Sequence, residues 1–455
     1  MNKIICCLVL DALALTMYCQ NDTTFNASKM EPFSQFDLTW CNGSDKRRDI
    51  LKIGNYFSPV VMVDGNCTYS FNNPIDNTVV GSTALARNNE VQISAVHLGG
   101  DFSYKNARAH IVTQFGTRST VIPRNDFSPY RGQYQLAEAY RYLAEANAGY
   151  HFNVLHGLNI DAGMFMSYIG LNSYYQTENW EYQASFTSDN TPWFFNGIRL
   201  QFFPTKNLKI EPWIINGWQS YGMYNQQPGI GGNITWCPNE RLKVLTNNYY
   251  GADAAGIPNR KRFHSDNSFL LNYFKRPTSP YISQMAFSFT GDIGYEKGGG
   301  VNGFISDPVY GPKQYFASFM FYNRIWFAKN KFAWTFGGGY VNNPGRYLVL
   351  YPTGQASPLP SQFNPTTTSG NFPFSANSGD VFEAHDVSTN FDWMPNDHFT
   401  VRFECVYRKA NVNYFSGRGG VTSQNGYSTV NLQPDWKPDL VKSETRILCA
   451  LLFRL

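Results

Sequence analysis

The chain has 455 residues, enough for one large barrel or for two to three soluble domains. Charged residues make up 15%, below the roughly 25% typical of soluble domains, while aromatics reach 16% with 29 Tyr and 36 Phe. The formal net charge of +4 is too small to argue for nucleic acid or an acidic partner. Beyond the N-terminal stretch no apolar run is long enough for a spanning helix, which leaves open a membrane β-barrel, half of whose residues face water.

Residues 1–19 resemble a secretory signal, with a basic start and then an apolar core. Asp11 in that core costs about 2.5–3.5 kcal/mol on the insertion scale, and the Ile and Leu residues around it return roughly 0.5 kcal/mol each. Residues 20–64 show no sustained period and carry Lys46, Arg47 and Arg48. They read as an N-terminal extension or a segment packed into a lumen, with a disordered leader as the other reading. A barrel is expected over 65–455.

Strand candidates then run at 66–72, 91–103, 106–117, 141–153, 158–168, 193–203, 208–218, 227–237, 241–250, 262–274, 281–296, 315–328, 331–343, 381–394, 398–409 and 443–455. Short turns near Lys105, Leu155, Thr205, Asn239, Thr278, Asn330 and Asn396 alternate strictly with longer loops. The loops are rich in Gly, Pro, Asn and Ser, at 73–90, 118–140, 169–192, 219–226, 251–261, 297–314, 344–380 and 410–442. An even strand number, about 16, with short turns at one end and long loops at the other, is the pattern of outer-membrane barrels.

The stretch Thr191–Gly222 carries the clearest hairpin. Phe194, Ile198, Leu200 and Phe202 share one face and Gly197, Arg199 and Gln201 the other. Beyond the turn, Leu208, Ile210, Pro212 and Ile214 alternate with Lys209, Glu211 and Trp213. Each apolar face has the length of a membrane-crossing strand, and Trp193 and Trp218 cap it where interface aromatics are expected. The same alternation sets Phe399, Val401, Phe403, Cys405 and Tyr407 against Thr400, Arg402, Glu404 and Arg408. The last strand sets Ile447, Cys449, Leu451, Phe453 and Leu455 against Glu444, Arg446 and Arg454, and an apolar terminal strand resembles the signal read by barrel-assembly machinery.

Little catalytic chemistry is legible. The cysteines beyond the leader (Cys41, Cys67, Cys237, Cys405 and Cys449) are odd in number and contain no C-x-x-C pair, so neither a disulfide framework nor a zinc site is expected. The glycine runs at 229–232, 298–300 and 337–339 lack the phosphate-loop pattern and read as bends or close strand approach. His264 cannot serve Ser265 as a base, because neighbours on a strand point to opposite faces. Polar-face parity instead selects pore-lining candidates: Asp161, Arg199, Arg262, His264, Asp266, Asp292, Glu296, Arg324, Arg402 and Glu404. Such residues either ladder across strands with opposite charges or set pore selectivity.

The runs DLTWCNGSDKRRD (37–49), YSFNNPIDNTVVGS (69–82), GGDFSYKNARAHIVTQFG (99–116), RYLAEANAGYHF (141–152), GLNIDAGMFMSYIGLNSYY (157–175), NWEYQASFTSDNTPWFFNGIR (179–199), LKIEPWIINGWQSYG (208–222) and NRKRFHSDNS (259–268) resemble the β-barrel porins of the second type, the OmpL-like porins. The resemblance implies one barrel in the outer membrane of a Gram-negative bacterium and passive solute transport. It offers no catalytic motif.

The expectation is thus an all-β, antiparallel transmembrane barrel that passes small hydrophilic solutes, with no enzymatic activity, cofactor or metal. Loop 169–192 or loop 344–380 would fold inward and narrow it. The expected partners are outer-membrane lipids, the solutes and the assembly machinery acting on the C-terminal strand. Nucleic acid is not among them, and a homo-oligomer stays open. The alternatives are a structural or adhesion barrel with a plugged lumen, or a barrel hydrolase, which would need a Ser/His or Asp/His pair at one rim.

Overall fold

A computed structural model describes residues 32–45, 51–123, 126, 128, 131–305, 313–345, 381–427 and 436–455. The leader at 1–19, the basic run at 46–48 and nearly all of loop 344–380 lie outside the described residues.

One antiparallel sheet closes on itself. Its wall strands are β1 (57–70), β2 (91–104), β3 (107–113), β4 (143–152), β5 (158–166), β6 (194–205), β7 (208–215), β8 (229–239), β9 (242–251), β10 (261–275), β11 (282–298), β12 (315–327), β13 (332–343), β14 (382–393), β15 (399–410) and β16 (443–454). The sheet counts 17 strands among the described residues, one of them the two-residue Val301–Asn302 at the rim, which leaves a 16-stranded wall. Each strand pairs with the next in sequence, and β16 pairs with β1 from Met62↔Arg454 to Ser70↔Arg446. Closure leaves no open sheet edge, the condition for a sheet to stand in lipid.

Period-two alternation decides the faces. Ile198, Ile210, Ile214, Ile230, Ile234, Phe319, Phe321, Phe403 and Leu451 are exposed on the outside, while the polar residues between them are buried inside. Water would not tolerate so continuous an apolar belt, and a bilayer requires one.

Two expectations need correction. The first strand starts at Phe57 instead of residue 66. In Phe57–Ser70 the inward Val60 and Met62 are as apolar as the outward Val61 and Val63, because they pack on lumen residues such as Tyr174 and Trp193. With both faces apolar the period vanishes. Trp193 and Trp218 are not interface residues either. Both are buried in loops, Trp193 beside the Arg118 guanidinium (5.6 Å) and Trp218 against the His264 ring (4.7 Å).

Candidate functional site

Several segments that are not part of the wall fill the lumen. Among them is the β1–β2 loop, whose Thr83 hydroxyl donates to Asp189 (2.6 Å) and whose Val80 and Gly81 carbonyls accept from Arg446 and Arg408. Two others meet across the lumen. The first is the loop between β5 and β6, residues 167–193, which folds inward and is buried almost throughout. Its Ser185 caps a short helix, Phe186–Asp189, accepting from the Thr187 amide. The second is the N-terminal segment 32–45, which crosses the short-turn end of the barrel. Its Phe33 amide donates to the Lys206 carbonyl (2.7 Å) in the β6–β7 turn. Trp40 Nε1 donates to the Glu240 carbonyl (2.9 Å) in the β8–β9 turn. Asp45 pairs with Arg454 of β16 (3.3 Å). The two segments meet inside the barrel: Ser44 and Asp45 donate their amides to the Thr177 carbonyl (3.1 and 2.9 Å), and Trp180 Nε1 donates to the Trp40 carbonyl (3.1 Å).

The inward loop is strapped to the wall made by β12–β16. Asp392 of β14 stands opposite Arg402 of β15 in register and also reaches Arg324 of β12, at 2.7 Å in both pairs. The same arginines also donate to the loop: Arg324 Nη1 to the Trp180 carbonyl (3.0 Å) and Arg402 Nη2 to the Asn179 carbonyl (2.9 Å). Glu404 accepts from the Tyr182 and Gln183 amides (2.6 and 3.0 Å). Asp386 accepts from Ser185 Oγ and the Phe186 amide (2.9 and 2.8 Å), and Arg408 binds Asp189 (2.9 Å) and the carbonyls of Gly81 and Ala184. Wall cations take the carbonyls of Asn179, Trp180 and Ala184, and wall carboxylates take the amides of Tyr182, Gln183 and Phe186, so these buried backbone groups of the irregular loop are satisfied by the wall. Gly339 of β13 makes room for it, since a Cβ there would lie 2.3 Å from Ser185 Oγ. Within the loop, burial pushes the Glu181 carboxyl up to about 7, against a hydrogen bond from Asn172 that lowers it.

The wall made by β3–β7 is different. Asp161 of β5 binds Arg199 of β6 (3.0 Å) and Arg108 of β3 (3.2 Å). Lys209 of β7 binds Glu211 (2.8 Å), and His110 of β3 lies 3.3 Å from Glu145 of β4. Although these side chains point inward, Arg108 keeps 32% of its surface, Lys209 21%, His110 20% and Arg199 16%. Arg324, Arg402, Arg408 and Arg446 on the opposite side keep 1% or less. Arg108 and Lys209 stand just inside the short turns and Arg199 deeper, so water enters the lumen from the short-turn mouth along β3–β7.

The sequence-selected residues therefore fall in three places. Asp161 and Arg199 pair on the wet wall. Arg324, Arg402 and Glu404 hold the inward loop. Arg262, His264, Asp266, Asp292 and Glu296 lie buried near the long-loop end of β10 and β11, where Arg262 binds Glu296 (3.0 Å) and His264 binds Asp292 (2.6 Å). Trp218 covers that cluster, with the Arg262 guanidinium 5.2 Å from its ring. Sequence reasoning missed Asp392, Asp386, Arg108 and Lys209 as site residues. Asp392 was within reach, because the tight turn near Asn396 sets its register with Arg402. No group of three or more His, Cys, Asp or Glu side chains among the described residues is arranged to hold a metal ion.

A closed antiparallel barrel with an apolar belt, short turns at one end, and a wet lumen narrowed by an inward loop defines an outer-membrane porin. The family described as "Putative beta-barrel porin-2, OmpL-like" matches residues 61–431, and the chain belongs to it. Its place is the outer membrane of a Gram-negative bacterium. Among solved structures, an anion-selective porin from Comamonas acidovorans aligns with a TM-score of 0.50 at 10% identity, covering 88% of this chain and 99% of that one. OmpT, an outer membrane protein of Vibrio cholerae, aligns with a TM-score of 0.49 at 9% identity, covering 90% and 100%. At such identities the likeness concerns the fold alone. No curated protein matches the sequence.

Proposed function

We propose that small hydrophilic solutes diffuse passively through the lumen along β3–β7, past Asp161, Arg199, Arg108 and Lys209. The carrying observation is the residual exposure of the inward-facing Arg108, Arg199 and Lys209 on that wall, against its near absence at Arg324, Arg402, Arg408 and Arg446 on the other. Among the described residues of that other wall only Arg454, at the short-turn end of β16 beside segment 32–45, keeps a comparable share. The inward loop sets the width. Arg324, Arg402 and Glu404 fix that loop, and the cluster of Arg262, His264, Asp266, Asp292 and Glu296 fixes the outer rim. In this reading they shape the channel without touching the solute.

The protein is a channel and not an enzyme in this reading: His264 and Ser265 occupy opposite faces of β10, the His264–Asp292 pair is fully buried, and His110, which pairs with Asp101 toward the short-turn rim, is held on its other ring nitrogen by Glu145. Its other partners are the lipids around the belt and the assembly machinery that receives β16, and residues 1–19 are removed on export. The segment 32–45 across the short-turn mouth, periplasmic by the outer-membrane pattern, favours a narrow conductance over a wide one. Liposomes carrying the folded protein should swell in small sugars and progressively less in larger ones. Absence of swelling in every solute would favour the plugged structural barrel.

A further inference from the structure

The barrel closes where its first and last wall strands meet, and two cysteines stand at that seam. Cys67 of β1 lies directly opposite Cys449 of β16 in an unbroken register. Parity puts both on the lipid side, since Asn66, Thr68, Leu448 and Ala450 beside them are buried inside. The phase of the ladder is fixed at its two ends. The Phe71 amide donates to the Thr445 carbonyl (3.0 Å), and the Leu455 amide donates to the Val61 carbonyl (2.9 Å). Alternation then makes Cys67 and Cys449 a hydrogen-bonded pair, whose Cα atoms stand about 5.5 Å apart. Disulfides most often join Cα atoms about 5.5–6 Å apart. Cross-strand Cβ atoms start about 4.5–5.5 Å apart, so forming the bond draws the two side chains together by roughly an ångström.

Across their other ladders the two sulfurs meet apolar side chains, Val91 beside Cys67 and Phe403 beside Cys449. The third outward cysteine of this region, Cys405 of β15, faces Ile447 and Thr389 and so stands diagonal to Cys449. Spacing along the chain hides the Cys67–Cys449 pair, because its members come from the first and last wall strands and meet only on closure. Both are thiols in this structure. A chain bound for the outer membrane crosses the periplasm, an oxidising compartment in which disulfides form and persist. Every other pair of neighbouring wall strands is tied by a connection of the chain, whereas β1 and β16 are held by their ladder.

We propose that Cys67 and Cys449 are a modification site, oxidised to a disulfide that staples the barrel seam. The oxidant is the disulfide of a periplasmic thiol oxidoreductase. The Cys67 thiolate attacks one sulfur of that disulfide, forming a mixed disulfide and releasing the oxidant's other sulfur as a thiolate. The Cys449 thiolate then attacks Cys67 Sγ, forming the Cys67–Cys449 bond and releasing the oxidant's second thiolate. The two protons lost by the cysteines end on the two oxidant thiols, so the cysteine pair is oxidised by two electrons and the oxidant is reduced by two. The exchange belongs to assembly, while the joining edges stand in water, because lipid covers the pair afterwards. The bond closes a loop of nearly the whole wall, where a cross-link restricts the unfolded chain most. The proposal rests on the register and on export through the periplasm, and not on what the lumen conducts.

The test uses the full chain, purified from outer membranes with N-ethylmaleimide present from lysis onward and digested without reductant. Mass spectrometry should find the Cys67 peptide joined to the Cys449 peptide and separated by reduction, with Cys405 carrying the maleimide. After boiling in SDS without reductant, the wild-type chain should run ahead of its reduced form. Cys67→Ala and Cys449→Ala should each lose that difference, and Cys405→Ala should keep it. On a heating series in SDS, the Cys67→Ala barrel should convert to the unfolded form at a lower temperature than the Cys405→Ala barrel. Maleimide on both Cys67 and Cys449 in the bulk of the protein, a link from either to another cysteine, or equal conversion temperatures would overturn the proposal. Absence of liposome swelling would count against the conducting reading and leave this one standing.

Discussion

The two sides of the lumen are built from the same alphabet and do opposite things. On β12–β16, Arg324, Arg402 and Arg408 meet Asp392 and Asp189 in dry pairs, and their spare donors hold the backbone of loop 167–193. On β3–β7, Arg108 and Arg199 share Asp161, yet both stay partly wet. Strand parity is the same on both walls. What differs is the object standing opposite: folded chain in one case, water in the other. A charge on a barrel's inner face is therefore a structural group or a solute-facing one according to what covers it.

Removing one carboxylate from each wall should separate the two most sharply. Asp392→Ala strands two buried guanidinium groups, and breaking a buried pair costs about 3–5 kcal/mol. A large fall in the urea midpoint in detergent is expected. Asp161→Ala leaves arginines that water can reach, and a pair of that kind is worth about 1 kcal/mol or less. Equal falls would erase the distinction.

Face assignment comes next in size. Phe403 lies on the lipid side of β15 beside the inward Arg402, and an Arg near the midplane of that side costs about 2–4 kcal/mol. Phe403→Arg should lower the yield of heat-modifiable barrel. Tolerance would mean that the faces are exchanged.

Charge reversal on the wet wall should cost less folding than on the dry wall, because water reaches Arg199 and can screen a new carboxylate there from Asp161, and it should change permeation. Arg199→Glu should move the reversal potential toward cations in planar bilayers. The same change at Arg402 would set a new carboxylate against Asp392 and should fail to fold. An unmoved reversal potential in Arg199→Glu would place the conducting path elsewhere.

The smallest effect concerns pH. The Glu181 carboxyl, with its pKa raised to about 7 from an ordinary 4.5, holds a proton in the folded loop that the unfolded chain releases earlier. Docking of the loop is therefore strongest in acid and weakens as pH rises through about 7. Protection factors for residues 167–193, taken relative to the base-catalysed intrinsic exchange rate at each pH, should be higher on the acid side, and Glu181→Gln should flatten that dependence.

The fold was legible wherever one face is lipid and the other polar, as in the hairpin around Thr205, because a period of two then survives in the sequence. It failed at β1, where lumen packing makes both faces apolar, and at Trp193 and Trp218, whose positions beside strands mimic an interface belt. For the site, parity found the inward charges but not their roles. Whether Arg199 or Arg402 meets water depends on where loop 167–193 lies. That position is set jointly by Asp392, Asp386, Glu404, Gly339 and Trp40, which are scattered along the chain and show no local pattern.

The central claim is that solutes run along β3–β7 and not along β12–β16. Cysteines placed singly at Arg108 and at Ser388, the latter a buried inward residue of β14, can be challenged with a bulky charged thiol reagent during single-channel recording. The account predicts that Arg108→Cys loses most of its current and Ser388→Cys keeps it. Block at Ser388→Cys with none at Arg108→Cys, or equal block at both, would contradict it.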